Sequence, residues 1–143
     1  MKPDIVVLIA LLLLLAMVVL SDVLKRKIYN ANLAVLVIVS TYYRHQLPDA
    51  MWLDATLYAL LALLIGMLLW QRRLLGAGDV KLAVICVWMV FPNWGELILL
   101  SALGAGVLAI WQLARQRLAM SNNHQGTIPL GVSISASTVY LLF

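Results

Sequence analysis

The feature that most constrains this chain is a series of six apolar runs separated by short polar segments. The runs lie at residues 5–24, 31–43, 50–70, 80–91, 97–114 and 128–143. A helix needs about 20 apolar residues to cross a bilayer, and the longest runs reach that length. They predict an all-α polytopic integral membrane protein with six transmembrane helices. Because the second and fourth runs are short, four spans plus two half-length helices is the alternative.

The composition agrees with this prediction. The chain is 64% hydrophobic and 11% charged, whereas ordinary soluble domains are about 45–50% apolar and about 25% charged. These values exclude a water-soluble domain, a disordered chain and a nucleic-acid binder. Residues 1–143 are predicted to form a single membrane-embedded domain. The first run is interpreted as a retained span rather than a cleaved signal peptide, because no small-x-small cleavage site follows it.

The basic residues predict how the chain is oriented. With six spans, the loops after the first, third and fifth share one side, and Lys81 lies close to the same side. That side holds Lys25, Arg26, Lys27, Arg72, Arg73, Lys81, Arg115 and Arg117. The other side holds only Lys2 and Arg44. Lysine and arginine accumulate on the cytoplasmic side of membrane proteins. The sequence therefore predicts that the loops after the first, third and fifth runs are cytoplasmic and that both termini lie outside.

Two acidic residues, Asp22 and Asp79, fall on this basic side, each at the edge of an apolar run. Both have a structural interpretation. Asp22 has Lys25 and Arg26 at the i+3 and i+4 positions, where helical ion pairs form. Asp79 follows a glycine turn and could cap the N-terminus of the fourth helix. Neither interpretation requires the two aspartates to meet.

The functional interpretation is that Asp22 and Asp79 form a pair. Ionisable residues in membrane segments are costly and are functional candidates by default. Two close carboxylates cannot both ionise, so one keeps a proton while the other acts as a base toward water. Such a pair titrates as a unit, which leaves the acid and base roles unassigned. Gly76 and Gly78 lack a Cβ and are expected to let a substrate strand approach the backbone beside Asp79.

Three segments carry a resemblance to a known family. Residues 76–79 have the GxGD form of intramembrane aspartyl proteases, and residues 76–82, GAGDVKL, resemble the form in type IV prepilin peptidases. Asp22, the basic residues 25–27 and the segment 28–30 are similar to the end of that family's first core span, with Tyr29 in place of the usual proline. Pro129 and Gly131 resemble the Pro-x-Gly segment that opens its last span.

The resemblance implies an aspartic-type endopeptidase of the bacterial inner membrane, with its active site facing the cytoplasm, that removes leader peptides from type IV prepilins or pseudopilins. It implies Asp22 and Asp79 as the catalytic pair and no metal or organic cofactor. Further motif positions are Gly76, Gly78, Lys81, Asn30, Pro129 and Gly131. Larger members carry paired CxxC motifs, whereas this chain has only Cys86, so it resembles the short Flp/Tad-type form without methyltransferase activity. Family substrates have a basic leader, a glycine before the cleaved bond and an apolar helix with a nearby glutamate.

The implied partners are the prepilin or pseudopilin and the lipid bilayer, not nucleic acid, and a homo-oligomer is left open. Two other functions remain as alternatives. A proton- or cation-coupled transporter could use the same carboxylates as a relay, but it favours mid-membrane positions and internal repeats. A non-catalytic scaffold subunit would hold both aspartates in structural pairs. Cys86, within an apolar run, is predicted to be a small buried hydrophobic residue.

Overall fold

The computed structural model describes residues 4–25, 28–47, 51–118 and 130–142, without the side chains of 115–118. These residues form six α-helices, one for each apolar run, and the all-helical prediction is confirmed. The helices are α1 (Ile5–Lys25), α2 (Asn30–His45), α3 (Trp52–Gln71), α4 (Ala77–Val90), α5 (Trp94–Leu118) and α6 (Leu130–Leu142).

The helices fall into a long and a short class. Three segments are long and apolar enough to cross a membrane: α1, α3 and residues Trp94–Ala114 of α5. Helices α2, α4 and α6 have 16, 14 and 13 residues. At 1.5 Å per residue, α4 is only about 21 Å long, less than the roughly 30 Å of a bilayer core. Six complete spans and outward termini therefore stay predictions.

Four helices form a closed ring. Helix α1 packs against α2 and α6, and α4 packs against the same two helices. No Cα atom of α1 lies within 8 Å of one in α4, and these two helices face each other diagonally across the ring. Outside it, α3 packs on α4, and α5 packs on α6 and α4. The short helix α4 is therefore the centre of the bundle, in contact with four neighbours.

The core is formed by apolar stripes at helical spacing, and on α1 and α4 the stripes continue into an aspartate. The buried residues of α1 recur every three or four positions, as expected for one helix face: Val7, Leu11, Leu15, Val18 and Asp22. On α4, Leu82, Cys86 and Met89 are buried, and Asp79 precedes them on the same face. Cys86 is fully buried, as predicted. Both aspartates lie at the same end of the bundle.

The structure corrects the interpretation of Arg44 as a loop charge. Arg44 lies in the last turn of α2 and is only 1% exposed. Its Nη1 donates hydrogen bonds to the carbonyl oxygens of Trp88, at 2.8 Å, and Phe91, at 3.4 Å. The rings of Trp52, Trp88 and Phe91 lie within 6.0 Å of its Cζ. Arg44 thus satisfies carbonyls that the C-terminus of α4 leaves open. We call these four residues the Arg44 cluster.

Candidate active site

A pocket of about 440 Å³ opens at the end of the bundle opposite the Arg44 cluster. Its walls come from the C-terminal turn of α1, the segment before α2 and the N-terminal turn of α4. The lining residues are Asp22, Ile28, Tyr29, Asn30, Gly76, Ala77, Gly78 and Asp79. Both aspartates thus line one pocket, although their helices lie on opposite sides of the ring. Lys81 and Gly131, also predicted site residues, contact its wall residues. Pro129 lies outside the described residues.

Asp22 is the buried member of the pair, with 8% of its surface exposed. It lies in the last turn of α1, against the first turn of α6. A Cβ built on Gly131 would lie 2.7 Å from Oδ2 of Asp22 and 3.2 Å from its Cγ. Any larger residue at position 131 must displace the carboxylate. Gly131 is therefore a direct neighbour of Asp22, far from it in sequence.

Asp79 is the third residue of α4, and the helix is capped by Gly76 rather than by Asp79. The predicted Asp N-cap is wrong for this reason. Instead, the Asp79 carboxylate turns back and accepts a hydrogen bond from the Gly76 backbone N–H, as the third residue of a capping box does. A Cβ on Gly76 would lie 2.8 Å from Oδ2 of Asp79. Gly76 thus leaves room for the carboxylate itself.

The charges of the two aspartates are coupled. Asp79 precedes the apolar run that begins at residue 80 and lies outside the three long apolar helices. Burial raises the pKa of Asp79 to about 6, the nearby Asp22 carboxylate adds to this rise, and the hydrogen bond from Gly76 opposes it. A raised carboxyl pKa beside a second carboxylate is the condition under which a pair shares one proton.

Ile28 is a site residue that the sequence analysis did not single out. A Cβ on Gly78 would lie 3.1 Å from the Ile28 Cβ, and Ile28 Cδ1 would lie 3.4 Å from a Cβ on Gly131. Ile28 therefore packs between the N-terminal turns of α4 and α6. The space beside Gly78 is filled by Ile28, not left open for a substrate strand as the sequence had suggested. Only the three-dimensional contacts identify this role.

Two further contacts border the pocket. The Lys81 Nζ donates a hydrogen bond of 3.1 Å to Oδ1 of Asn30, which joins α4 to the first residue of α2. The Nζ of Lys25, an expected ion-pair partner of Asp22, lies 5.6 Å from the centroid of the Tyr29 ring. The other expected partner, Arg26, lies outside the described residues. Lys81 and Asn30, both predicted motif positions, thus meet at the rim.

Chemically, the pocket offers two neighbouring carboxylates in a partly buried setting, and the pKa of one of them, Asp79, is raised. One carboxylate can accept a proton from water, and the protonated partner can donate to a carbonyl oxygen or a leaving nitrogen. The same two roles are needed for hydrolysis of an amide bond. Geometry alone does not assign either role to a particular aspartate, because the pair titrates together.

Comparison with known proteins identifies the family. The profile of the type IV leader peptidase family, whose members are aspartic-type peptidases, matches residues 8–110. The matched region includes Asp22, Asp79 and the whole pocket except for its α6 neighbour Gly131. No curated protein and no solved structure matches the chain. The match covers well over half of the sequence and agrees with the resemblance carried by the motifs. The chain therefore belongs to the type IV leader peptidase family.

Proposed function

We propose that this protein is an aspartyl endopeptidase that removes the leader peptides of Flp-type prepilins or pseudopilins at the cytoplasmic face of the bacterial inner membrane. The observation that carries the proposal is the meeting of Asp22 and Asp79 in one pocket from diagonally opposed helices. Membership of the type IV leader peptidase family supports the reaction class.

In the proposed reaction, the ionised aspartate accepts a proton from a water molecule as the water oxygen attacks the carbonyl carbon of the scissile peptide bond. The protonated aspartate donates a hydrogen bond to the carbonyl oxygen, which carries the developing negative charge. Collapse of the tetrahedral intermediate breaks the C–N bond, and a carboxyl proton passes to the leaving nitrogen. The products are a new carboxylate and a new amine, and the pair again holds one proton.

The substrate must present an extended segment at the pocket, because the carbonyl groups of a helical peptide are already hydrogen-bonded and sheltered from attack. The cytoplasmic orientation is supported by the described basic residues at this end of the bundle. Lys25 ends α1, Arg72 and Arg73 follow α3, and Lys81 lies in the first two turns of α4. This distribution is typical of a cytoplasmic face.

The test is cleavage of a co-expressed Flp-type prepilin, followed as a size shift on a gel. The wild-type protein is compared with Asp22→Asn and Asp79→Asn, and the membrane level of each variant is measured. Asp54→Asn, on α3 at the other end of the bundle, is the matched control. We expect cleavage by the wild type and the control and none by either pocket variant.

If either pocket variant cleaves at the wild-type rate, the two-aspartate mechanism is wrong. If the wild type cleaves none of the co-expressed Flp-type prepilins, the substrate assignment is wrong, and proton-coupled transport becomes the next function to test.

A further inference from the structure

A second, more apolar pocket of about 380 Å³ adjoins the aspartate pocket. No Cα atom of α2 lies within 8 Å of one in α3, whereas both helices pack on α4. An open groove with α4 as its floor is therefore left between them. Its apolar walls are formed by Leu33, Ala34, Val37, Leu63, Val84 and Ile85. We call this surface the α2–α3 groove.

The groove and the aspartate pocket share a wall. Asn30 lines both, and Lys81 lines the groove beside it. The hydrogen bond from Lys81 to Asn30 marks the boundary between them. From Asn30 to Val37 the groove follows α2 for about 10 Å at 1.5 Å per residue, or two helical turns. An elongated molecule in the groove would thus reach the aspartates directly.

We infer that the α2–α3 groove binds the apolar transmembrane helix of the substrate, with the N-terminal end of that helix at Lys81. This inference rests on the proposed function and specifies how the substrate is held. The apolar walls match a membrane-embedded helix, and the shared Asn30 wall carries the extended leader from the helix end into the aspartate pocket.

The position of Lys81 adds a requirement on the substrate. A helix N-terminus carries a partial positive charge, which an ammonium group repels. A substrate helix whose N-terminus lies at Lys81 is therefore favoured only if a carboxylate in its first turn offsets the charge of the ammonium group and the partial charge of the helix end. The glutamate that the family resemblance places near the cleaved bond of its substrates would supply this carboxylate. A lipid acyl chain, the other candidate occupant, has no such requirement.

The docking test compares two positions on α2. Val37 lines the groove and is 43% exposed, whereas Val35 is 46% exposed and lies about 200° away around the helix. Val37→Trp fills the groove, and Val35→Trp adds the same bulk to another face. Each variant is assayed on an intact Flp-type prepilin and on a soluble peptide with only its leader and cleavage site.

We expect Val37→Trp to raise the KM for the intact prepilin about tenfold and to leave cleavage of the soluble peptide within twofold of the wild-type rate. Val35→Trp should change neither value. An unchanged KM for the intact prepilin would overturn the inference. Equal loss on both substrates would also overturn it, because the effect would then arise in the aspartate pocket.

A crosslinking experiment separates this inference from the proposed function, since it needs no cleavage. Val37→Cys and Val35→Cys are each combined with Asp22→Asn and tested against a prepilin with a cysteine in the first two turns of its helix. Disulfide formation at position 37 and not at 35 supports docking, even if the wild type were found not to cleave. Equal crosslinking at both positions, or none at position 37 as expected if only lipid occupies the groove, contradicts it.

The role of Lys81 is tested by pairing Lys81→Gln with a prepilin whose first-turn glutamate is changed to glutamine. An exposed ion pair contributes up to about 1 kcal/mol, so we expect Lys81→Gln to lower kcat/KM about fivefold on the natural prepilin and to have no further effect on the altered one. Equal losses on both substrates would show that Lys81 acts only through its bond to Asn30.

Discussion

The two ends of the bundle both hold buried charge, and they differ in how that charge is satisfied. At one end the Arg44 guanidinium contacts backbone carbonyls and aromatic rings, which are attractive partners for a cation. At the other end two carboxylates of like charge line a common pocket. The partners of Arg44 offset the cost of burying its charge, whereas a second carboxylate adds to the cost of burying the first. Charge that is costly to the fold and open to a pocket is typical of a functional site.

The sharpest test of this contrast is to neutralise the aspartates. Asp22→Asn and Asp79→Asn should each reduce cleavage at least about 1000-fold, equivalent to about 4 kcal/mol of activation free energy. Because each change removes a like-charge repulsion, neither should lower the melting temperature in detergent at pH 7. A variant that loses activity only in proportion to lost folded protein would assign the aspartates to structure.

The opposite result is expected for the Arg44 cluster. Arg44→Leu leaves the carbonyls of Trp88 and Phe91 without their donor, so the free energy of unfolding should fall by about 3 kcal/mol. Cleavage per folded molecule should stay within twofold. Unfolding is measured by denaturant titration in micelles. The exposed neighbour His45 provides the control, because His45→Leu should change stability little. An equal loss of stability in that variant would show that the contacts of Arg44 do not account for the effect.

A smaller effect is expected from the glycine that contacts Asp22. Gly131→Ala places a Cβ 2.7 Å from the carboxylate oxygen, so the aspartate must move and cleavage should fall about tenfold, or about 1.4 kcal/mol. Gly106, on α5, has nothing within 4 Å of its Cβ position. Gly106→Ala should leave cleavage unchanged and add up to about 1 kcal/mol of stability through helix propensity. Equal cleavage by the Gly131→Ala and Gly106→Ala variants would show that Gly131 is not part of the active site.

The last expected effect is on the pH dependence of stability. The folded pKa of Asp79 is raised, from 3.8 to about 6, so the folded state binds more protons than the unfolded state between these values. Stability should therefore decrease as pH rises from about 4 to about 6 and then level off. The melting temperature of the wild type is compared with that of Asp79→Asn across this range. A decrease of the same size in the variant would assign it to other groups.

Much of this organisation is predictable from the sequence, because apolar periodicity and charge placement are local signals. Each apolar run corresponds to a helix, and the two aspartates beside basic residues do line one pocket. Whether α2 and α4 cross the whole bilayer was less predictable from the sequence, because a helix that is shielded by its neighbours need not match the thickness of the bilayer. The motif strings identified the site residues that lie on α1, α2 and α4.

Two of the three incorrect sequence predictions concern residues whose partners come from distant segments of the chain. Arg44 looked like a loop charge because its partners Trp52, Trp88 and Phe91 come from two later segments of the chain. Gly78 appeared to open the backbone to substrate, but Ile28 fills that space. Asp79 appeared to be an N-cap because aspartate is common there, whereas the glycine three residues earlier takes that position. For Arg44 and Gly78 the partner is specified by packing between distant segments, whereas for Asp79 the error lies in where the first turn of α4 begins.

The central position of the short helix α4 has a consequence for the setting in which the protein works. Membranes of different thickness act on the helices that face lipid, by tilting or stretching them. Here the helices long enough to respond to that mismatch are α1, α3 and α5, while α4 packs against four others and is held at its C-terminal end by Arg44. The depth of Asp79 is thus set by protein contacts. Cleavage should proceed at similar rates in vesicles of shorter-chain and longer-chain lipids.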